Sequence, residues 1–141
     1  MNFVSIRIIT EDIKRLVAFY QQFTGLAPSW FGEDFAEIAT PSGTIAIGST
    51  RTLAMFEAGD TRAAANRSAI VKFIVDDVDA EYERLKSVLD DIVQQPKTLP
   101  WGNRSLLVRD PDGTLVNLFT PVTDQAKQKF GLRMQERPRT G

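Results

Sequence analysis

Two cations stand at matching places in two short apolar runs, Arg7 in SIRII and Lys72 in IVKFI. A strand that buries one face leaves such a side chain on the other face or at the sheet rim. Arginine grips a carboxylate or phosphate with paired N–H donors, and lysine adds a compact point charge. The pair therefore suits a small anionic ligand; the competing reading has each cation paired with an acid such as Glu37, or in solvent. Glu37 interrupts the Ala and Ile of DFAEIAT and is the one candidate for a catalytic group. As a general base it needs a pKa raised by burial; otherwise it is the partner of a cation, or an exposed residue on an edge strand. Trp30, Phe31 and Trp101 form either a slot for a planar ligand or ordinary packing at sheet ends. Ser5 and Asn117 offer neutral hydrogen-bonding groups, and Asn117 is a lone amide among Leu115, Val116, Leu118 and Phe119.

What is missing restricts the chemistry further. The chain has no histidine and no cysteine. That removes the commonest general base, the Ser-His-Asp relay, thiol nucleophiles, disulfides and the usual transition-metal ligands. Any metal would have to be held by carboxylate, amide or backbone oxygens. A net charge of −1 gives no global attraction to nucleic acid or a membrane surface. No apolar run approaches the ~20 residues that span a bilayer. The opening MNFVSIRII lacks the regions of a signal peptide, so the expected location is the cytoplasm.

These residues must be positioned by a regular series of elements. Residues 3–10 read as a strand, with Val4, Ile6 and Ile8 on one face. Residues 11–26 read as a helix, with Ile13, Leu16, Val17 and Tyr20 at helical spacing and Gly25 as its stop. Strands are expected at 27–32, 34–40 and 44–50, with a Pro41-Ser42-Gly43 turn between the last two. Residues 51–68 are a long connection, with an extra strand expected at 53–56; the connection is read as a linker rather than a flap. The series then restarts: a strand at 69–76, a helix at 77–90 with an acidic first turn, and strands at 92–99, 104–110 and 114–119. Asp110, Asp112 and Gly113 belong to the last turn, and Glu33 and Asp34 to an earlier one, without need of a function.

The two series overlay. IRIITEDIKRLVAFY matches VKFIVDDVDAEYERL, which sets Arg7 on Lys72, and TPSGTIAI matches DPDGTLVN, which sets Gly43 on Gly113. The chain of 141 residues, 43% of them hydrophobic, is one α+β protein built from a βαβββ unit used twice. A helix would cover one face of each sheet, leaving the other for a ligand.

The duplicated unit, the Glu11-Asp12 and Asp76-Asp77 helix openings, and the segment WGNRSLLVRDPDGTLVNLF at 101–119 resemble the vicinal oxygen chelate superfamily. This is the group of glyoxalases, bleomycin-resistance proteins and extradiol dioxygenases. The resemblance covers residues 3–120 and comes closest to the metal-free, bleomycin-resistance-like branch. It implies two tandem βαβββ modules forming a curved mixed sheet with helices on the outer face. The domain would be residues 1–122, with modules at about 1–50 and 69–122, linker 51–68 and a basic tail at 123–141. Metal-dependent members carry ligands at four strand positions. Here those positions correspond to Ser5, Ile70, Ile47 or Ser49, and Asn117, so none keeps a charged or imidazole donor.

The resemblance thus implies a homodimer that binds a small organic molecule, planar or anionic, without a metal or other cofactor. Sequestration of an antibiotic or toxic metabolite is its specific form. The ligand set would be Ser5, Arg7, Trp30, Glu37, Lys72, Trp101 and Asn117, with no nucleic-acid or membrane partner. Two alternatives stay open: a glyoxalase-like lyase, isomerase, transferase or dioxygenase-related enzyme, and an interaction module whose cavity is vestigial and filled by side chains such as Ile47, Ile70, Leu107 and Phe119. The tail departs from the family pattern. It carries five Lys or Arg against Asp124 and Glu136. It is read either as disordered or as docking on a neighbouring subunit through Phe130, Leu132 and Met134.

Overall fold

The computed structural model describes residues 1–135, with side chains to residue 131. Its chain forms two compact units, Met1–Asn66 with Pro111–Gly113, and Arg67–Asp110 with the chain from Thr114 onward. The first unit runs β1 (Ser5–Thr10), α1 (Ile13–Thr24), β2 (Ser29–Trp30), β3 (Phe35–Thr40), β4 (Gly43–Ser49) and a 3-10 helix (Thr50–Met55). The second runs β5 (Ile70–Ile74), α2 (Val78–Leu85), β6 (Ile92–Thr98), β7 (Asn103–Arg109), β8 (Leu115–Pro121) and α3 (Asp124–Gln135). Each βαβββ module makes its own four-stranded mixed sheet, ordered β1-β4-β3-β2 and β5-β8-β7-β6. In both, the first strand pairs in parallel with the last, and the remaining pairs are antiparallel.

The helices form where their caps and apolar stripes meet. Asp12 accepts a hydrogen bond from Arg15 N–H at 3.2 Å, and Asp77 from Ala80 N–H at 3.1 Å, each satisfying an orphan donor of the first turn. Ile13, Leu16, Val17, Tyr20 and Phe23 bury one face of α1 against the first sheet. Gly25 ends α1 in the left-handed region at φ 73°, its N–H donating to Gln21 O at 2.9 Å. Helix α2 stops at Leu85, short of the expected residue 90. The Leu85 carbonyl accepts from both Val88 and Leu89 N–H at 3.0 Å, and that turn closes the helix.

Two expectations are corrected. The strand expected at 53–56 is absent, and the 3-10 helix occupies most of that stretch. Thr52 Oγ1 donates to Ser49 O at 2.7 Å, a local bond that favours a tight turn over an extended chain. The tail is neither disordered over its first part nor offered to a neighbour through Phe130. It forms α3, started by Ala126 N–H donating to Thr123 Oγ1 at 3.2 Å. Phe130 is buried against Phe119 of its own β8, with ring centroids 5.1 Å apart. Leu132 and Met134 lie outside the residues whose side chains are described.

Gly102 makes this docking possible. Its φ is 93°, and a Cβ there would run into Thr123 Oγ1 and lie 3.1 Å from the Ala126 Cβ. Backbone strain alone of this kind costs about 1–3 kcal/mol. Gly102→Ala is therefore expected to lower stability by at least that much and to loosen α3. Hydrogen exchange should show faster exchange of α3 amides; unchanged protection there would refute the account.

Candidate functional site

Strand register decides which residues share a face. In the first sheet Arg7, Ala46, Glu37 and Ser29 are lateral partners in one row. Side chains alternate along each strand, so Ser5, Arg7, Glu37, Phe35 and Gly48 lie on one face. Ile38, Ile45 and Ile47 lie on the other, each 7% exposed or less, where α1 packs. Arg7 is exposed and Glu37 half-buried, so two of the residues singled out from the sequence do share an open face.

They do not pair. Neither Arg7 nor Glu37 shares an ion pair with any described residue. The Arg7 guanidinium instead lies 4.5 Å from the centroid of the Phe35 ring and 5.3 Å from that of Phe56. Phe35 stands two residues before Glu37, so strand alternation gives it the same face. Phe56 follows the 3-10 helix, which turns back over this face above Gly48. A Cβ on Gly48 would lie 2.8 Å from Thr52 Oγ1. The two rings hold the guanidinium by cation–π attraction, roughly 0.5–1 kcal/mol each at an exposed site. Its N–H donors remain uncommitted.

The aromatic slot expected from Trp30 and Trp101 has other members. Trp30 pairs with Ala36, which places it in the row opposite to that of Arg7, at 43% exposure. Trp101 sits in the turn closed by Gly102 N–H donating to Leu99 O, and is 66% exposed. Neither has a ring partner among the described residues. Phe31 packs on Phe35 with centroids 5.9 Å apart, so of the three aromatics only it adjoins the Arg7 cluster.

In the second sheet Lys72, Asn117 and Leu107 form one lateral row, and Phe119 pairs with Ser105 in the next. Val71, Val116, Val108 and Leu106 occupy the opposite face, where α2 packs. Lys72 is exposed and its Nζ lies 5.1 Å from the Phe119 ring centroid, with no carboxylate partner among the described residues. Asn117 is half-buried, and its Oδ1 is buried without a hydrogen-bond partner, as are Asn103 Oδ1 and Ser105 Oγ. All three residues share the face of Lys72. Ile70 belongs to it too, at the sheet edge, 49% exposed. On the helix side, a shallow cleft of about 300 Å³ opens beside the start of α2. Within it Arg104 Nε donates to Asp79 Oδ2 at 2.7 Å and Nη2 to Oδ1 at 3.0 Å.

The overlay of the two modules needs correction by one residue. It matched Asn117 to Ile47, yet Lys72 pairs with Asn117 while its counterpart Arg7 pairs with Ala46. The cause is turn length. Thr40 pairs with Gly43, so Pro41 and Ser42 alone make the first turn. Asp110 N–H donates to Thr114 O, so Pro111, Asp112 and Gly113 make the second, with Gly113 at φ 88°. A slip of one residue moves a side chain to the other face. Ile47 and Ser49 therefore point towards α1, and Ala46 is the true counterpart of Asn117.

These positions do not fit the metal that some members of the family hold. Ser5, Ala46, Ile70 and Asn117 supply one hydroxyl and one amide, no charge and no imidazole, which is not a donor set for a divalent transition ion. Among the described residues no cluster of three or more His, Cys, Asp or Glu is placed to hold one.

Asp34 has a structural role. Its Oδ1 accepts from Ser49 Oγ at 2.7 Å and from Arg51 Nε at 2.8 Å, tying the β2–β3 loop to the end of β4. The Arg51 hydrogen bond, then that of Ser49, holds its carboxyl below the usual aspartate value; Arg104 does the same for Asp79. A lowered folded-state pKa means stability that is full above the unfolded value and lost as pH falls through the folded one. Melting temperature should therefore fall as the solution is acidified below the ordinary aspartate pKa, and less steeply in Asp34→Asn. An equal slope in the variant would remove Asp34 from this account.

Comparison with known proteins agrees with the topology. YraH, an uncharacterized protein of Bacillus subtilis (strain 168), is 27% identical over 125 residues, 84% of this chain and 98% of its own. The structure of a glyoxalase/bleomycin resistance protein/dioxygenase family enzyme from Burkholderia phytofirmans PsJN superposes with a TM-score of 0.77 at 16% identity. It covers 86% of this chain and 100% of its own. TioX from Micromonospora sp. ML1 gives 0.67 at 23% identity, covering 86% of this chain and 100% of its own. Residues 2–118 match the profile described as Glyoxalase/Bleomycin resistance protein/Dioxygenase superfamily, and the chain belongs to that superfamily.

Proposed function

We propose that this chain binds a small organic molecule, planar or anionic, without a metal, as a sequestering protein for an antibiotic or toxic metabolite. One observation carries the reading: the Arg7 guanidinium is braced between Phe35 and Phe56 on an open sheet face, with no carboxylate partner among the described residues. A fixed guanidinium recognises a carboxylate in two-pronged fashion and loses little rotamer freedom on binding. The adjoining phenylalanines offer apolar area to a planar body. Ser5 and Glu37 on the same face provide orienting groups. The second sheet carries a cation and an amide of its own, Lys72 and Asn117, whereas Trp30, on the face opposite Arg7, and Trp101, in a turn, lie outside the Arg7 cluster. Phe3, Val4 and Ile6, at 76%, 70% and 39% exposure on and before the edge strand β1, support a homodimer. Among the described residues no helix is long and apolar enough to cross a membrane; a cytoplasmic location is part of the proposal.

Native mass spectrometry tests this directly, with and without added Ni²⁺, Zn²⁺, Mn²⁺ and Fe²⁺. The expected spectrum is a dimer with no stoichiometric metal and an organic adduct of low mass. One tightly held metal per subunit would overturn the metal-free reading.

A further inference from the structure

The face of the second sheet that carries Lys72 holds three buried oxygens without partners: Asn103 Oδ1, Ser105 Oγ and Asn117 Oδ1. Asn103 is 5% and Ser105 1% exposed. Two of them are amide oxygens, which can only accept, and the third is a hydroxyl, which can accept or donate; buried polar groups of either kind normally have a partner. They are not scattered. Asn103 and Ser105 are alternate residues of β7, about 7 Å apart along the strand. Ser105 pairs with Phe119 and Asn117 with Leu107, which makes Ser105 and Asn117 diagonal neighbours across β7 and β8.

The protein's own donors nearby are spent or turned away. Gln94, partner of Leu107 on the same face, donates from Nε2 to the Ser105 backbone carbonyl at 3.1 Å, and so leaves Oγ unserved. Lys72 lies over the Phe119 ring. For the two amide oxygens the missing chemistry is therefore donation, and the serine hydroxyl can accept alongside them. Amide oxygens can only accept, so what completes the row must present N–H or O–H groups. The cation of Lys72 beside Asn117 disfavours a second positive charge, which leaves neutral donors.

Helix α3 bears on the same place. It is anchored at Gly102, the residue before Asn103, and at Phe119, the partner of Ser105. Both anchors border the oxygen row, so α3 packs at its edge.

We infer that this row is a recognition site for a neutral N–H donor head group, such as a carboxamide or urea. This rests on the proposal that the chain binds a small organic molecule and adds the class of head group it selects. A ligand carboxylate near Lys72 and a donor head on the oxygen row would be read together, which a purely anion-binding site would not do.

The test uses the full chain and two planar probes with the same benzoate body, 4-carbamoylbenzoate and 4-methoxycarbonylbenzoate, in calorimetric titrations. They differ in carrying NH₂ or OCH₃ at one end. The amide should bind about tenfold tighter, the size of one net hydrogen bond. Asn103→Leu, combined with Ser105→Ala, should reduce that preference, since Asn117 Oδ1 is then the one oxygen of the row left to accept. The melting temperature of the Asn103→Leu, Ser105→Ala variant should not fall, since it removes groups that lack partners; a fall would show them to be structural. Equal binding of both probes, or a preference undiminished by the double substitution, overturns the inference while leaving the proposed function standing. Failure of both probes to bind overturns the two together.

Discussion

Arg7→Ala is expected to weaken binding of a planar carboxylate such as 2-naphthoate at least tenfold. A hydrogen bond to a charged partner contributes about 1.5–3 kcal/mol, and the two-pronged geometry concentrates that on one side chain. Arg7→Lys keeps the charge. It loses the flat group that Phe35 and Phe56 brace at 4.5 and 5.3 Å, so it should recover only part of the affinity. Phe56→Ala should weaken binding less than Arg7→Ala, because the cation remains but is no longer held. Fluorescence or calorimetric titration orders the variants: wild type, then Arg7→Lys, then Arg7→Ala. If Arg7→Ala binds as wild type does, the Arg7 cluster is not the site. Folding is not at stake in this series, since Arg7 is exposed and forms no ion pair with a described residue.

A second substitution separates two registers of the first sheet. Ile47→Glu places a carboxylate where the sequence overlay puts the counterpart of Asn117. In the structure Ile47 is 0% exposed on the face where α1 packs. Losing the apolar side chain costs about 2–5 kcal/mol. Desolvating a carboxylate adds several more, or the group takes up a proton instead. The sum approaches the whole stability of a typical domain, about 5–15 kcal/mol. The variant should be unfolded or recovered only as aggregate. Ala46→Glu is the control: Ala46 is also buried, at 3% exposure, but its side chain leaves the sheet on the face of Arg7, beside that cation, so the substitution should destabilise less than Ile47→Glu. Thermal unfolding of the pair decides the matter. A well-folded Ile47→Glu with an unfolded Ala46→Glu would mean that the register is wrong.

Much of the architecture was legible from local pattern. The stripe of Ile13, Leu16, Val17 and Tyr20 and the caps Asp12 and Asp77 are short-range features, and the helices start where these predict. Strand centres were equally plain. What failed was whatever depended on counting across a turn or following chain without periodicity. The Pro41-Ser42 and Pro111-Asp112-Gly113 turns look alike in sequence yet differ by one residue in the hydrogen-bonded ladder, so Ile47 was set on the wrong face. The segment around Thr52 has no apolar repeat, and neither the 3-10 helix nor the return of Phe56 to Arg7 could be read from it. The tail showed Phe130 as an apolar residue in search of a surface, and its surface turned out to be the chain's own Phe119.

The candidate site divides in the same way. The amino-acid sequence by itself determined the duplicated βαβββ unit, the placing of Arg7 and Lys72 at equivalent strand positions, and a donor chemistry without imidazole or thiolate. Those follow from residue type and from periods of two and 3.6, which any local stretch displays. Only the tertiary structure decided that Arg7 is braced by Phe35 and Phe56 and not paired with Glu37. It also decided that Trp30 faces away, and that Asn103, Ser105 and Asn117 leave their oxygens without donors. Each of these depends on register between strands or on where an irregular segment comes to rest. Both are set by long-range packing, which stretches of chain carry only jointly and none of them alone.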